Sequence, residues 1–273
     1  MYLGVEIGGT KLQVAVCDSR GRVRELVREP VDRKRGARGI LKQLEQMVPP
    51  LLSRHRVRAI GVGFGGPVDA RRGRVVKSHQ IKGWDGFALQ SWFVRRFRLP
   101  VAIENDANVA GLAEAVAGAG RGRRAVFYIT VGTGIGGGFV LDGRIYNGCR
   151  GASEIGHTRL PIDDRWPTLE SVASGLAIER GTSTVAAAGR HLGVAVANLI
   201  ALLNPEVIVI GGGVSLAGER FFRPLRSTVR TLVFPPFRSN YRIVPAALGE
   251  MVVAVGAALL AAREFGPRAG RRR

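Results

Sequence analysis

The sequence predicts an α/β protein of two related halves, and two observations carry that prediction. The first is a pair of similar glycine-rich stretches. Residues 3–23 read L-G-V-E-I-G-G-T-K-L-Q-V-A-V-C-D-S-R-G-R-V, and residues 126–145 read V-F-Y-I-T-V-G-T-G-I-G-G-G-F-V-L-D-G-R-I. Each is strand, Gly/Thr turn, strand, then a turn of the form D-(x-x)-G-R-[V/I], which we read as an internal duplication. The second is that short buried strands and helix-periodic segments follow each stretch, as layered α/β structure requires. The simplest architecture that uses both hairpins is a two-domain clamp on a nucleotide, with a cleft between the halves.

The hairpin tips explain the nucleotide. Glycines let the main chain take positive φ and let a ligand approach its N–H groups, and a row of such groups binds anions. A G-x-G-x-x-G pattern can be read at Gly132, Gly134 and Gly137. A dinucleotide fingerprint needs a helix after it, whereas the strand-like Phe139–Leu141 follows here. No G-x-x-x-x-G-K-[ST] phosphate loop occurs in the chain.

At 273 residues with 46% apolar residues, the chain can fill two modest cores. The apolar runs Leu192–Leu203 and Met251–Ala262 read as helices too short to span a bilayer, and no charged-then-apolar leader precedes Tyr2. A soluble, cytoplasmic protein without membrane contact is expected. Cys17 and Cys149 provide no disulfide framework, which agrees with a reducing compartment. The net charge of +20 invites a polyanion reading. Its basic residues are spread along the chain, however, and only Lys11, Lys34, Lys42, Lys77 and Lys82 are lysines. We read the excess as compositional, expect no specific nucleic-acid partner, and expect the Arg271–Arg273 end to be disordered.

In chain order, Leu3–Ile7, Leu12–Asp18 and Arg22–Arg28 read as an antiparallel meander. Ile40, Leu41, Leu44, Met47 and Val48 keep helical spacing, so one helix face covers that sheet until Pro49-Pro50 ends or kinks it. Val57–Gly63 is a buried strand entering the sharp loop F-G-G-P-V-D. Val101–Ile103 is a short strand stopping at Glu104-Asn105-Asp106, and an alanine-rich helix follows to about Ala119. Asn and Asp there are ordinary helix caps, yet a carboxylate at the carboxyl end of a strand also stands where open α/β sheets bind ligands. Position alone leaves both readings open. Glu154 and His157, three apart, can face one site and hold vicinal hydroxyls, or form a solvated pair. Leu192, Val196, Leu199 and Leu203 mark a helix, and Val207–Ile210 a buried strand. Gly211–Val214 is a strand-to-helix turn, Arg242–Pro245 the last strand and Met251–Arg263 the last helix.

Seven stretches in this order resemble the ROK family of sugar kinases and repressors. They are Glu6–Lys11, Gly65–Asp69, Gly83–Gly86, Glu104–Asn108, Thr133–Gly138, Glu154–His157, and Asn204-Pro205 through Gly211–Ser215. The resemblance implies a two-domain actin-like, ribonuclease-H-like ATPase fold with a duplicated βββαβαβα core. Its expected domains are 1–107 with helix 250–265, and 108–249, followed by a basic tail 266–273. It further implies transfer of a phosphoryl group from ATP to a sugar hydroxyl, the sugar being a hexose or N-acetylhexosamine. On these positions Asp106 is the expected general base, and Gly65, Gly66, Asn105, Asp106, Glu154, His157 and Glu170 are the expected sugar-binding residues. Gly8, Gly9, Thr10, Lys11, Gly132, Thr133 and Gly134 are expected at the phosphates, and Gly211, Gly212 and Gly213 at the nucleoside. Mg²⁺ would arrive with ATP, near Glu6, and the family suggests a homodimer.

The chain also departs from the family pattern. Members typically follow the E-x-G-H histidine with C-x-C-G-x-x-G-C, which binds structural zinc. Pro161–Leu169 here reads P-I-D-D-R-W-P-T-L, so no zinc is expected. The segment between Gly175 and Leu192 is short, Gln80 replaces an asparagine before G-W, and Glu6 replaces an aspartate. Two readings follow, a sugar kinase and a sugar-sensing or partner-binding protein with weak or no catalysis. The repressors carry a helix-turn-helix ahead of the first motif. That motif begins here at Glu6, so DNA reading by such a module is not expected.

Overall fold

The structure, a computed structural model, describes residues 1–78, 81–149 and 151–267; Gln80 and Arg271–Arg273 lie outside the described residues. The strands and helices run β1 (Tyr2–Ile7), β2 (Lys11–Cys17), β3 (Val23–Pro30), α1 (Gly36–Arg54), β4 (Ile60–Phe64), β5 (Val68–Asp69), β6 (Arg74–Val75), α2 (Leu89–Phe97), β7 (Val101–Asn105) and α3 (Asp106–Ala117). They continue with β8 (Ala125–Val131), β9 (Ile135–Leu141), β10 (Arg144–Ile145), α4 (Leu169–Ala173), α5 (Gly175–Glu179), α6 (Val185–Leu203), β11 (Val207–Gly211), α7 (Glu219–Leu232), β12 (Arg242–Pro245) and α8 (Val252–Phe265). The chain divides into one unit of Met1–Ala117 with the segment from Glu250 onward, and a second of Gly118–Gly249.

In the first unit the sheet order is β3-β2-β1-β4-β7. β1 pairs antiparallel with β2 and parallel with β4, and β4 pairs parallel with β7. The inner strands β1 and β4 are buried along their whole length, whereas β3 has no buried residue and carries Arg24, Glu25, Arg28 and Glu29, as suits an edge strand. Leu3, Val5 and Ile7 on one face share a core with Ile40, Leu44, Met47 and Leu51 of α1. Pro49 and Pro50 lie inside α1 without ending it; the last turn persists because Leu51 is buried in that core. Trp84 of the G-W-D-G motif is fully buried, edge-on to Phe64 and Phe87 at 5.2 and 5.3 Å.

The opposite face of this sheet receives α8. A Cβ on Gly4 would lie 1.9 Å from the Ala254 carbonyl oxygen, and one on Gly61 would lie 1.8 Å from that of Ala257. Only glycine permits this approach of helix to sheet. α3 meets α8 equally closely, since a Cβ on Gly256 would lie 1.8 Å from the Val109 carbonyl oxygen. That packing puts all of α3 in the first unit, and the division falls after Ala117 where the sequence suggested Ala107.

The second unit repeats the plan. Its sheet order is β10-β9-β8-β11-β12, with β8 antiparallel to β9 and parallel to β11, and β11 parallel to β12. The same order and senses in both units express in structure the duplication seen in the sequence. Ile129, Ile208 and Ile210 share a core with Leu192, Val196 and Ile200 of α6 and Phe221, Leu225 and Val229 of α7. α6 starts earlier than its leucine spacing suggested, at Val185, behind a Thr184 cap. At 19 residues it is long and apolar enough to cross a membrane, yet half of it is buried in this core.

Candidate active site

The first unit gathers its motifs at the carboxyl ends of three parallel strands. The register aligns Ile7 with Phe64 and Phe64 with Asn105, so Gly8, Gly65 and Asp106 each stand one residue beyond one row. Contacts agree with the register. A Cβ on Gly65 would lie 3.3 Å from the Ile7 carbonyl oxygen, 3.4 Å from Asp106 Oδ2 and 3.6 Å from Gly8 Cα. Ile7, Gly8, Gly9, Phe64, Gly65, Ser78, Ile81 and Trp84 line a small pocket there.

Glu104, Asn105 and Asp106 each hold backbone at the start of α3. Asn105 Oδ1 accepts from the backbone N–H of Ala107 at 2.9 Å and of Asn108 at 3.3 Å, which is the N-cap role for α3. Its Nδ2 donates to the Gly66 carbonyl at 3.1 Å and ties the F-G-G-P loop to the helix start. Glu104 Oε1 accepts from Asn105 N at 2.8 Å and Asn108 Nδ2 at 3.1 Å. Asp106 opens α3, with Oδ1 accepting from Ala107 N at 2.8 Å and Oδ2 beside Gly65. Ala107 N is thus shared by Asn105 and Asp106, and Asn105 also reaches Asn108 N.

Glu6 sits on the α8 face of β1, almost wholly buried. Gln13 Nε2 donates to Glu6 Oε2 at 2.6 Å and to the Glu250 carbonyl at 2.8 Å, and Arg28 Nη2 donates to Gln13 Oε1 at 3.2 Å. Lys11 Nζ donates to the same Glu250 carbonyl at 3.2 Å and lies 3.8 Å from Glu6 Oε1. Burial raises the Glu6 carboxyl to about 7; Lys11 opposes the rise, the Asp106 charge adds to it, and Gln13 and Arg28 oppose it. Sequence reasoning overlooked this network. Its one signal is Gln13, a polar residue inside the apolar strand L-Q-V-A-V.

The first hairpin closes through Gly8 N to the Lys11 carbonyl at 3.2 Å, and no group among the described residues accepts from Thr10 N–H. In the second unit Gly132-Thr133-Gly134 forms the corresponding tip, with Gly132 N bonded to the Gly134 carbonyl at 2.9 Å. Glu170 Oε2 accepts from Ile135 N at 2.8 Å, and Gly175 N donates to the Gly132 carbonyl at 2.7 Å, so the starts of α4 and α5 hold this tip. Glu170, expected at the sugar, thus spends one oxygen on the hairpin. Gly211 ends β11, and Gly212 turns the chain at φ 86°, where a Cβ would lie 2.5 Å from the Val131 carbonyl oxygen. A 3₁₀ turn, Gly213–Ala217, intervenes before α7. Glu154 precedes and His157 ends the 3₁₀ turn Ile155–His157, and both are exposed, with His157 N donating to the Glu154 carbonyl at 3.0 Å. Of the expected residues, Gly8–Lys11, Gly65, Gly66, Asn105 and Asp106 belong to the first unit. Gly132–Gly134, Glu154, His157, Glu170 and Gly211–Gly213 belong to the second.

Two metals must be tested against these residues. Zinc does not fit. Where the family carries cysteines, Thr158–Leu169 forms a small hairpin, with Leu160 N to the Pro167 carbonyl at 3.1 Å and Ile162 N to the Arg165 carbonyl at 3.0 Å. Asp163 and Asp164 turn it at φ 44° and 57°, the left-handed pair of a type I′ turn. Leu160 and Leu169 anchor it in the core, and among the described residues no three His, Cys, Asp or Glu gather. Nucleotide-borne Mg²⁺ keeps several waters and needs one or two carboxylates. It fits beside Glu6, where the Asp106 charge that helps raise the Glu6 carboxyl is what a divalent cation would offset.

Both units follow the actin-like ATPase plan, and the comparisons narrow the class. A sequence profile of the ROK family matches residues 2–184 and again 178–264, and the chain belongs to that family. The two matched ranges overlap at residues 178–184. The chain is 30% identical to a glucokinase of Halalkalibacterium halodurans, over 93% of each chain. It superposes on the ROK hexokinase of Thermus thermophilus with a TM-score of 0.85, at 32% identity over 96% of this chain and 98% of that one. A ROK family glucokinase from Streptomyces griseus, solved in complex with glucose and AMPPNP, gives a TM-score of 0.82 at 30% identity, over 96% and 99%.

Proposed function

We propose that this protein is an ATP-dependent sugar kinase acting on a hexose or N-acetylhexosamine, with Asp106 as general base. The observation that supports the reading is the placement of Asp106 Oδ2 beside Gly65 at the strand ends, where Gly65 also adjoins Gly8, while Asn105 carries the longer-reaching cap bond to Asn108 N. In the reaction Asp106 takes the proton of a sugar hydroxyl, the oxygen attacks the terminal phosphorus, and ADP leaves. Asn105, Gly65 and Gly66, with Glu154, His157 and Glu170, are the sugar residues. The two hairpin tips and Lys11 serve the phosphates, and Gly211–Gly213 serve the nucleoside. Glu6 would face Mg²⁺, which neutralises phosphate charge when bound. Names of relatives support the sugar and the AMPPNP complex of the Streptomyces protein supports the nucleotide. Cytoplasmic location and a homodimer belong to the same reading.

The short segment between Gly175 and Leu192 and the absence of cysteine from 151–175 motivate a second reading, a sugar sensor that retains binding without transfer. Incubation with ATP, Mg²⁺ and a panel of hexoses and N-acetylhexosamines separates the two. Formation of a sugar phosphate supports the kinase, whereas binding of a sugar without product supports the sensor.

A further inference from the structure

We infer that Arg33, which lies outside every motif above, is a positioning residue that holds the first phosphate turn in its donor-binding conformation. The inference rests on reading Gly8–Lys11 as a phosphate cradle. After β3, Asp32 caps a 3₁₀ turn, Arg33–Arg35, its Oδ1 accepting from Lys34 N at 3.0 Å. Arg35 closes the same turn, with its N bonded to the Asp32 carbonyl at 3.2 Å and its Nε 3.1 Å from Asp32 Oδ2. Arg33 Nε, carried on that turn, donates to the Gly9 carbonyl at 2.5 Å. Beside it Val31 N donates to the Thr10 carbonyl at 2.9 Å.

The consequence follows from peptide geometry. In a trans peptide the C=O and the next N–H point to opposite sides, so a Gly9 carbonyl held by Arg33 turns Thr10 N–H the other way. That N–H has no acceptor among the described residues, so it is available to an anion. A glycine-flanked peptide can also flip. Flipped, it would present the Gly9 oxygen to the phosphate and repel it. Arg33 therefore acts through the orientation of one peptide, and its hydrogen bond counts for more than its charge.

Arg33→Gln and Arg33→Ala test this in the full chain. The Gln Nε2 stands the same number of bonds from Cα as Arg Nε, so it can donate to Gly9 without charge. Calorimetry with inorganic tripolyphosphate, and KM for ATP and for sugar, are the readouts. We expect Arg33→Ala to weaken tripolyphosphate and ATP about tenfold, the worth of one hydrogen bond. Sugar KM and melting temperature should hold, and Arg33→Gln should restore most of the loss. Unchanged ATP KM and tripolyphosphate affinity in Arg33→Ala, in an enzyme that still phosphorylates sugar, would overturn the inference alone. Equal losses for sugar and ATP, a Gln variant as poor as Ala, or wild-type protein that binds no tripolyphosphate would overturn it as well. If wild-type protein makes no sugar phosphate yet binds tripolyphosphate through Arg33, the inference holds and the kinase reading falls.

Discussion

At the scale of single residues, the unit's charge chemistry turns on Glu6. Its carboxyl, raised to about 7, binds its proton more tightly folded than unfolded. The stability this contributes is fully present below the unfolded value of 4.5 and is lost as pH rises through about 7. The span corresponds to an ionisation cost on the order of 3 kcal/mol at pH 8. Glu6→Gln removes that cost, so in urea unfolding without nucleotide the variant should gain on the wild type between pH 5 and pH 8. A difference that stays flat across this range would show that Glu6 titrates normally. Asp106 was legible from sequence in two candidate roles, cap and base, and its own bond to Ala107 N beside the Oδ2 near Gly65 is compatible with both. Gln13 was illegible because its partners come from β1, β3 and the chain segment before α8, which only the folded sheet brings together.

At the scale of elements, the meander β1–β3, β11, β12 and α8 were readable, since each is a periodic or continuous apolar run bounded by glycine or proline. A helix after the Gly211–Val214 turn was expected, but its extent was not read because Pro224 and its arginines interrupt the apolar spacing of Phe221, Leu225 and Val229. The hairpin in place of the zinc cluster was also missed, for Asp-Asp lacks the glycine that marks a type I′ turn. Local chemistry predicts its behaviour. A chelator should leave the melting temperature unchanged, and Asp163→Asn with Asp164→Gly should raise stability by about 1 kcal/mol by relieving left-handed strain. Stoichiometric zinc by elemental analysis, or a fall in melting temperature on chelation, would contradict the hairpin's independence of metal.

At the scale of the whole molecule, two copies of one sheet plan carry the expected phosphate motifs, and the net charge of +20 has no matching motif. If that charge is compositional, duplex DNA should bind no more tightly than ~10⁻⁴ to 10⁻⁶ M near physiological salt, with steep salt dependence. Sequence-dependent nanomolar binding would revive a regulatory role. The central claim, that Asp106 performs base catalysis on a sugar hydroxyl, has a more direct test in sugar-dependent ATP turnover by Asp106→Asn. A general base contributes ~10² to 10⁴ in rate, so kcat should fall by about that factor. Melting temperature and sugar affinity should stay close to wild type, because Asn105 keeps the cap and the new amide keeps the side chain's size. Wild-type turnover in Asp106→Asn would contradict the account.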